Sequence, residues 1–133
     1  MMSIQKQLEA IAKKRTQDLT EIYQASTIRV GNQVIQGTPV DKGRLINQWN
    51  TAIGAVSYED NKSDNPSGSQ AYQELIQTIT NSQLGATAYF TNPMVYAPRI
   101  EYDDWSAKAP NGMLRINTAK WQEIVQSEIN KRK

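Results

Sequence analysis

The sequence predicts an α+β domain in which a long N-terminal helix and a C-terminal helix pack on one face of a small antiparallel β-sheet. Apolar residues recur at helical spacing over residues 3–36 and again near the end of the sequence. The strand-like segments between these two regions are few and are separated by long returns. A length of 133 residues suits one domain spanning 1–133.

The first predicted element is a helix over residues 3–36. Apolar residues that step by four and seven positions form one stripe, at roughly 100° per residue. This stripe consists of Leu8, Ala12, Leu19, Tyr23, Val30 and Val34, widened by Ile4, Ile11 and Ile22. Gly31 inside the pattern costs about 1 kcal/mol relative to alanine and marks a bend or a close packing contact. We expect the helix to end at a C′ glycine, Gly37, because Pro39 cannot continue it.

A turn, a strand and a loop follow the first helix. Aspartate bonds back to the local backbone and glycine accepts a positive φ, so Asp41 and Gly43 predict a turn over 40–43. Alternation with period two predicts a strand over 45–56, and the polar stretch 57–70 predicts a loop. Such a long loop is functional or disordered in a compact domain, and we expect it to be extended, mobile and ordered by assembly.

The second half of the chain alternates short elements with turns. The pattern predicts a helix over 69–83, a strand over 86–91, a helical turn over 95–102, a third strand over 112–116 and a final helix. Asn117 and Thr118 offer an N-cap for the final helix. Its apolar stripe consists of Trp121, Ile124, Val125 and Ile129. The turns that define the fold are expected at Pro39, Gly43, Pro93, Pro98, Pro110 and Gly112.

Composition excludes several kinds of site. The chain contains no histidine and no cysteine, so it has no imidazole base, thiolate nucleophile, Cys/His zinc site or disulfide framework. Fifteen basic and thirteen acidic side chains give a formal charge of +2, which is too balanced to indicate nucleic-acid binding. No stretch approaches the ~20 apolar residues that span a bilayer, and no secretion signal is recognisable. We therefore expect no membrane partner and synthesis in the cytoplasm.

The acidic cluster Glu101, Asp103 and Asp104 raises the alternative of a small carboxylate-dependent hydrolase. An acid/base pair needs convergent geometry, whereas adjacent aspartates in extended backbone point apart. We expect no catalytic site, no metal and no cofactor, and we expect Glu101 to pair with Arg99 or Arg115. The absence of the usual catalytic residues favours a structural or binding protein.

Three motifs in order resemble a known family. Thr38–Leu45 (Thr-Pro-Val-Asp-Lys-Gly-Arg-Leu) directly follows the long helix, and Tyr89–Ala97 combines a strand, an Asn-Pro turn and a Tyr-Ala pair. Ile100–Tyr102 then precedes a Ser-x-x-Ala-Pro-x-Gly-Met stretch that starts at Ser106. Over roughly residues 10–130 this arrangement resembles the tail-completion and neck proteins of tailed bacteriophages. The departure is Asp103-Asp104, where a glycine often stands in the family.

The resemblance implies a structural virion protein of the phage neck or tail, made in the host cytoplasm. Such a protein forms a homo-oligomeric ring that joins the head connector or adaptor to the tail tube or terminator proteins. DNA passes through the ring without being read as sequence. A ring requires heterologous contacts, in which one face of a subunit fits a different face of its neighbour. The alternatives are a tail-terminator ring that caps the tail tube, a monomeric adaptor domain, and the hydrolase considered above.

Candidate assembly residues lie in the turn 40–44, the loop 57–70 and the segment 99–106. Aromatic residues are enriched at the energetic centres of interfaces, so we interpret Trp105 as an interface residue, whereas we expect Tyr96 in the core. The residues predicted to make subunit contacts are Asp41, Lys42, Arg44, Tyr58, Arg99, Glu101, Tyr102, Asp104 and Trp105. The alternative for Asp41 and Gly43 is a role in the turn alone, with Arg44 pairing locally.

Overall fold

The computed structural model of the protein describes residues 3–103, 106–109 and 111–133. The predicted α+β class is confirmed: helices pack against a small antiparallel sheet. In chain order the elements are α1 (Ile4–Gln36), a 3₁₀ turn (Ile46–Gln48), β1 (Asn50–Ile53), α2 (Ser69–Thr80), β2 (Ala88–Thr91), α3 (Ala97–Tyr102), α4 (Arg115–Thr118) and α5 (Trp121–Lys131). Within the described residues, no helix combines the length and apolar character of a membrane span.

Helix α1 spans 33 residues, and its predicted bounds are confirmed. The Ser3 hydroxyl accepts a hydrogen bond from the Lys6 amide at 3.2 Å and so caps the first turn. Gly37 has φ −84°, a right-handed conformation, and not the left-handed one typical of a C′ glycine. The hydroxyl of Thr38 donates to the Val34 carbonyl at 2.7 Å. The Thr38 side chain thus satisfies a carbonyl at the end of the helix. In many helices a left-handed C′ glycine helps to satisfy such carbonyls through backbone hydrogen bonds.

The C-terminal half of α1 packs between α2 and α5. A Cβ atom at Gly31 would lie 2.7 Å from Leu75 Cδ2, so Gly31 marks a close contact with α2. Tyr23 Oη and Ser82 Oγ lie 3.0 Å apart just beyond the end of α2. Arg132 Nε lies 3.5 Å from Glu21 Oε2 just beyond the end of α5. The packed part of α1 therefore begins at about residue 21.

Residues 4–20 of α1 form an arm that projects beyond α2 and α5. Every residue from 3 to 17 is exposed, so the predicted apolar stripe is buried only in the C-terminal half of the helix. Exposed fractions on the arm are 76% for Ile4, 61% for Leu8, 56% for Ile11 and 54% for Leu19. The arm thus presents an apolar stripe to solvent.

The sheet consists, within the described residues, of β1 and β2. They pair antiparallel with Asn50 opposite Thr91 and Ile53 opposite Ala88. Trp49 stacks on Phe90, with ring centroids 4.7 Å apart and an interplanar angle of 4°. The core contains Val34, Ile35, Leu45, Ile46, Trp49, Ala71, Leu75, Ile79, Ala97, Ile100, Ala109 and Met113. It is therefore built from α1, the segment before β1, α2 and the chain around α3.

The predicted strand 45–56 is too long. Residues 44–45 form a turn that leads into the 3₁₀ turn Ile46–Gln48, and only Asn50–Ile53 is a strand. Residues 45–50 are all buried. A strand sends alternate side chains to opposite faces, whereas a 3₁₀ turn distributes them around an axis and lets consecutive side chains reach different buried partners.

The predicted third strand, 112–116, is wrong. Gly112 has φ +84°, and the following three backbone N–H groups turn around the carboxylate of Glu101. The chain then enters the short helix α4. The predicted N-cap at Asn117 and Thr118 is also wrong, because both residues lie inside α4 and α5 follows Lys120 without a side-chain cap.

The glycines at 43 and 54 provide a matched pair for a stability test. Their φ values are +86° and +85°, so both have the same backbone conformation. A Cβ atom at Gly43 would lie 2.2 Å from Pro66 N, whereas a Cβ atom at Gly54 would have no other heavy atom within 4 Å. We expect Gly54→Ala to lower the free energy of unfolding by about 1 kcal/mol, the cost of a positive φ. Gly43→Ala should cost at least about 2 kcal/mol more, since backbone must move. Equal costs by urea denaturation would contradict the close approach.

Candidate functional site

Two of the motif-bearing stretches line one groove. Residues 39–45, 96–100 and 106–108 contribute most of its surface, and its volume is about 690 Å³. Apolar surface comes from Val40, Leu45, Tyr96 and Ile100. The ammonium group of Lys108 donates to the Val40 carbonyl at 2.8 Å and joins the two stretches directly. The sequence motifs therefore meet in space although more than fifty residues separate them.

Arg44 pairs with the loop that passes beside the groove. Its Nη2 donates to both carboxylate oxygens of Asp60 at 2.8 and 3.0 Å, and its Nη1 lies 3.7 Å from Asp64 Oδ1. Asp41 and Lys42 also line the groove and are exposed. The structure thus gives Arg44 the local pairing that the sequence left as an alternative to a subunit contact.

Tyr96 lies on the groove and packs partly against the core, as expected. Burial is the main cause that raises the pKa of its phenol. Asp64, Asp41 and Asp60 raise that pKa further, and Arg44 opposes them. The phenol is therefore neutral at physiological pH and adds a polar tip to an apolar wall.

Three buried amide side chains, which we call the amide row, hold the loop that follows β1. Asn47 Nδ2 donates to the Ser63 carbonyl and to Gln70 Oε1, both at 2.7 Å. Gln48 Nε2 donates to the Lys62 carbonyl at 2.5 Å. Asn50 completes the row by donating through Nδ2 to the Glu59 carbonyl at 2.7 Å. The loop is thus fixed at several backbone positions within the single chain, and its further ordering on assembly stays a prediction.

Lys62 strengthens the same attachment from the loop side. Its ammonium group donates to Asn50 Oδ1 and to Glu74 Oε1, the second at 3.3 Å. Glu74 Oε1 also accepts the Thr51 amide at 2.8 Å. Loop, strand and helix α2 therefore share one hydrogen-bonded network. Tyr58 on this loop is 74% exposed and lies outside that network.

Glu101 is the most heavily hydrogen-bonded carboxylate among the described residues. Oε1 accepts the amides of Met113 and Leu114 at 2.8 and 2.7 Å. Oε2 accepts the amide and the Nε of Arg115 at 2.9 and 2.8 Å. A Cβ at Gly112 would lie 2.9 Å from the carboxyl carbon, which explains the glycine. Glu101 therefore pairs with Arg115, one of the two partners expected from the sequence.

The electrostatics of Glu101 follow from this geometry. Burial by itself raises the pKa of the carboxyl, but the three backbone amides and the Arg115 guanidinium outweigh burial and lower it. Tyr102, which is 63% exposed, lies beneath the same guanidinium, 4.4 Å from ring centroid to Arg115 Cζ. Glu101 thus joins α3 to α4, and both of its carboxylate oxygens accept hydrogen bonds. We call this set of contacts the Glu101 staple.

The predicted contact residues do not form one site. Asp41, Lys42 and Arg44 lie at the groove, Tyr58 lies on the loop, and Glu101 and Tyr102 surround Arg115. Arg99 is exposed on α3. The remaining predictions, Asp104 and Trp105 as contact residues and Pro110 as a turn residue, lie outside the described residues. Across the described residues, no three acidic side chains are arranged to hold a metal ion.

Sequence reasoning missed the amide row and Glu128. The signal for the row was the run Ile-Asn-Gln-Trp-Asn at 46–50, whose polar residues interrupt a predicted strand. Glu128 is 5% exposed and accepts from Lys131 and Arg132 at 3.2 and 3.1 Å. Burial raises its pKa, but these two cations outweigh burial and lower it. Arg29 of α1 lies 3.8 Å away, so Glu128 links α5 to α1.

Comparison of the chain with protein-family models, with curated proteins and with solved structures gave no match.

Substituting Glu101 with glutamine tests the staple through its pH dependence. A folded-state pKa below the ordinary glutamate value means that the ionised carboxyl stabilises the protein at neutral pH and that this stability is lost as pH falls through the folded pKa. We expect Glu101→Gln to lower the free energy of unfolding at pH 7 by about 2 kcal/mol and to flatten its decline below about pH 5. Glu9→Gln, on the exposed arm, is the control. An unchanged acid profile in the Glu101 variant would contradict the staple.

Substituting Asn47 with alanine tests the amide row. The Ser63 carbonyl, the Gln70 amide oxygen and the Ala71 amide would each lose a partner. We expect the free energy of unfolding to fall by about 2–3 kcal/mol and hydrogen exchange to become faster in α2, because the Ala71 amide lies in the first turn of that helix. Asn61→Ala, on the same loop but exposed, should change stability by less than about 0.5 kcal/mol. Comparable losses in both variants would mean that the row does not anchor the loop.

Proposed function

We propose that this chain is a structural protein of a bacteriophage neck, where copies form a ring that joins the head connector to the tail. The observation that supports this most directly is the N-terminal arm, residues 4–20 of α1. Its apolar stripe is exposed, and α2 and α5 stop at its base. An apolar stripe of this extent on a projecting helix is typical of a surface that another molecule covers.

The motifs that resemble the neck family support the proposal through the roles of their residues. Gly43 lets the loop backbone approach the turn, and Gly112 lets Glu101 approach the following chain. Both motifs shape the groove and its surroundings. A protein built this way acts by fitting its surfaces to partners.

The hydrolase alternative has less support from the geometry. A general acid or base must exchange its proton with a substrate, and an open carboxylate oxygen is needed for that exchange. The Glu101 oxygens face backbone amides and Arg115, and the side chain is 6% exposed. Its hydrogen bonds favour a permanent negative charge.

Under this proposal the partners are other copies of the chain, the head connector or adaptor, and the tail tube or terminator proteins. DNA passes through the ring without sequence-specific contacts. The protein is made in the host cytoplasm and ends in the virion. A tail-terminator ring is the neighbouring possibility, because such a ring presents the same kind of surface to the tail tube.

The test uses particles of the phage that encodes the chain. We expect electron microscopy with an antibody against the protein to label the junction of head and tail, and we expect the purified protein to bind isolated filled heads. Binding to isolated tail tubes alone would assign the terminator role. Label absent from all particles, together with catalytic turnover by the purified protein, would refute a structural role.

A further inference from the structure

We propose that two copies of the chain pair through the outer edge of β2, in an antiparallel arrangement that places Tyr89 opposite Tyr89. This pairing doubles the two-stranded sheet. An isologous contact closes on itself, so it is separate from the ring contact of the proposed function and goes beyond it. The proposal follows from the free backbone groups of β2, from the absence of charge around them and from the register that two identical strands take.

The register of the sheet decides which backbone groups of β2 point outward. In an antiparallel pair of strands, residue pairs that exchange hydrogen bonds alternate with residue pairs that do not. The Gly54 amide donates to the Thr87 carbonyl at 2.9 Å, which identifies these two residues as a bonded pair. Tyr89 therefore also bonds to β1, whereas Ala88 and Phe90 direct their N–H and C=O groups away from it. Within the described residues, no hydrogen bond reaches these outward backbone groups.

The outer edge of β1 is covered, whereas that of β2 is open. The Thr51 amide points away from β2 and donates to Glu74 Oε1 at 2.8 Å, and α2 packs along β1. In contrast, β2 packs mainly on β1, and each of its residues is partly exposed. Exposed edges are usually protected by a charge, a proline or a bulge. Ala88–Thr91 contains no charged residue and no proline and pairs in continuous register, so this edge can accept another strand.

The region around β2 carries no charge, which favours a second copy as the occupant of the edge. Residues 75–98 contain no Asp, Glu, Lys or Arg, although these residues make up 21% of the chain. Two copies of one charged surface repel each other, but two copies of this surface do not. Leu84, before β2, is 45% exposed, and Val95, after β2, is 91% exposed. Because antiparallel pairing brings the start of one strand to the end of the other, these apolar residues flank the contact from both copies.

Self-pairing has one register that uses every outward group of β2. When Ala88 faces Phe90 of the second copy, both outward residues of each copy form bonded pairs. Any other register in which outward groups face each other leaves one of these two residues unpaired within the strand. The preferred register places Tyr89 opposite Tyr89, with Cβ atoms about 4.5–5.5 Å apart. Since Ala88 and Phe90 pack against the core, the two Tyr89 side chains meet on the opposite face of the sheet.

A contact of this size is weak. Stable interfaces bury about 800 Å² on each partner, and a pair of four-residue strands buries less. We therefore expect a dimer that forms at micromolar or higher concentration and that separates when a larger contact competes for the same surface. The dimer covers an edge that is otherwise a template for aggregation of the free protein.

Cross-linking tests the register, because the chain has no cysteine. Tyr89→Cys places two thiols opposite each other in a non-bonded antiparallel pair, where the backbones approach closely enough for a disulfide. The control is Tyr58→Cys, at a tyrosine on the loop that is 74% exposed. On mild oxidation we expect disulfide dimers of Tyr89→Cys to form about tenfold faster than those of the control, since pairing raises the effective thiol concentration. Equal rates would indicate random collision and overturn the inference.

Hydrogen exchange at single amides tests the backbone pairing on the wild-type chain. The Tyr89 and Thr91 amides bond to β1 in every copy, so their protection should not depend on protein concentration. We expect exchange at the Ala88 and Phe90 amides to slow about tenfold between dilute and concentrated samples. Exchange that does not change with concentration would overturn the inference. Protection of these two amides in phage particles alone would assign the edge to a strand of another protein.

A matched pair of substitutions tests the contact by sedimentation. Tyr89→Lys places two like charges directly opposite each other, which destabilises a cross-strand pair. We expect this variant to raise the dissociation constant of the dimer about tenfold or more and Tyr58→Lys to leave it unchanged. Equal effects of the two substitutions would contradict the contact. A wild-type chain that stays monomeric up to about millimolar concentration would overturn the self-pairing and leave the neck function standing.

Discussion

Buried amide side chains need hydrogen-bond partners, and that need organises the middle of this protein. Leaving one such group unsatisfied costs about 1–3 kcal/mol. Asn47, Gln48 and Asn50 satisfy their donors with carbonyl oxygens and an amide oxygen from residues 59–70. The loop after β1 must therefore return across these side chains, which brings Asp60 and Asp64 to Arg44 and defines one edge of the groove.

Glu101 plays the same role with a charge in place of an amide. Its carboxylate collects three successive backbone amides and one guanidinium, so the chain from residue 112 to 115 curves and enters α4. Charge-assisted hydrogen bonds are roughly twice as strong as neutral ones. This polar contact thereby attaches the second wall of the groove to the remainder of the domain. It also gives a structural explanation for Glu101, the buried residue of the acidic cluster seen in the sequence.

Much of the fold was predictable because local periodicity decided it. Helix α1, α2 and β2, and the helical turn around Pro98, follow from spacing and turn chemistry that act over a few residues. The errors fall where distant groups decide the backbone. Residues 45–49 do not form a strand, because the side chains of Asn47 and Gln48 bind the following loop. Residues 112–116 do not form one either, because the carboxylate of Glu101 binds the backbone amides of residues 113–115. The meeting of the two motifs in one groove also depends on distant contacts, which no local pattern reveals.

Gly31 has a consequence for the direction of the whole first helix. Because Gly31 has no side chain, α1 packs directly on Leu75 at this position. The helix measures about 40 Å from Gly31 to Ile4, so a tilt of about 5° about this contact would move Ile4 by roughly 3.5 Å. A single methyl group added in the core could therefore misalign a distant surface without unfolding anything. The packing of a small residue far from any contact between subunits can thus set the curvature of a larger assembly.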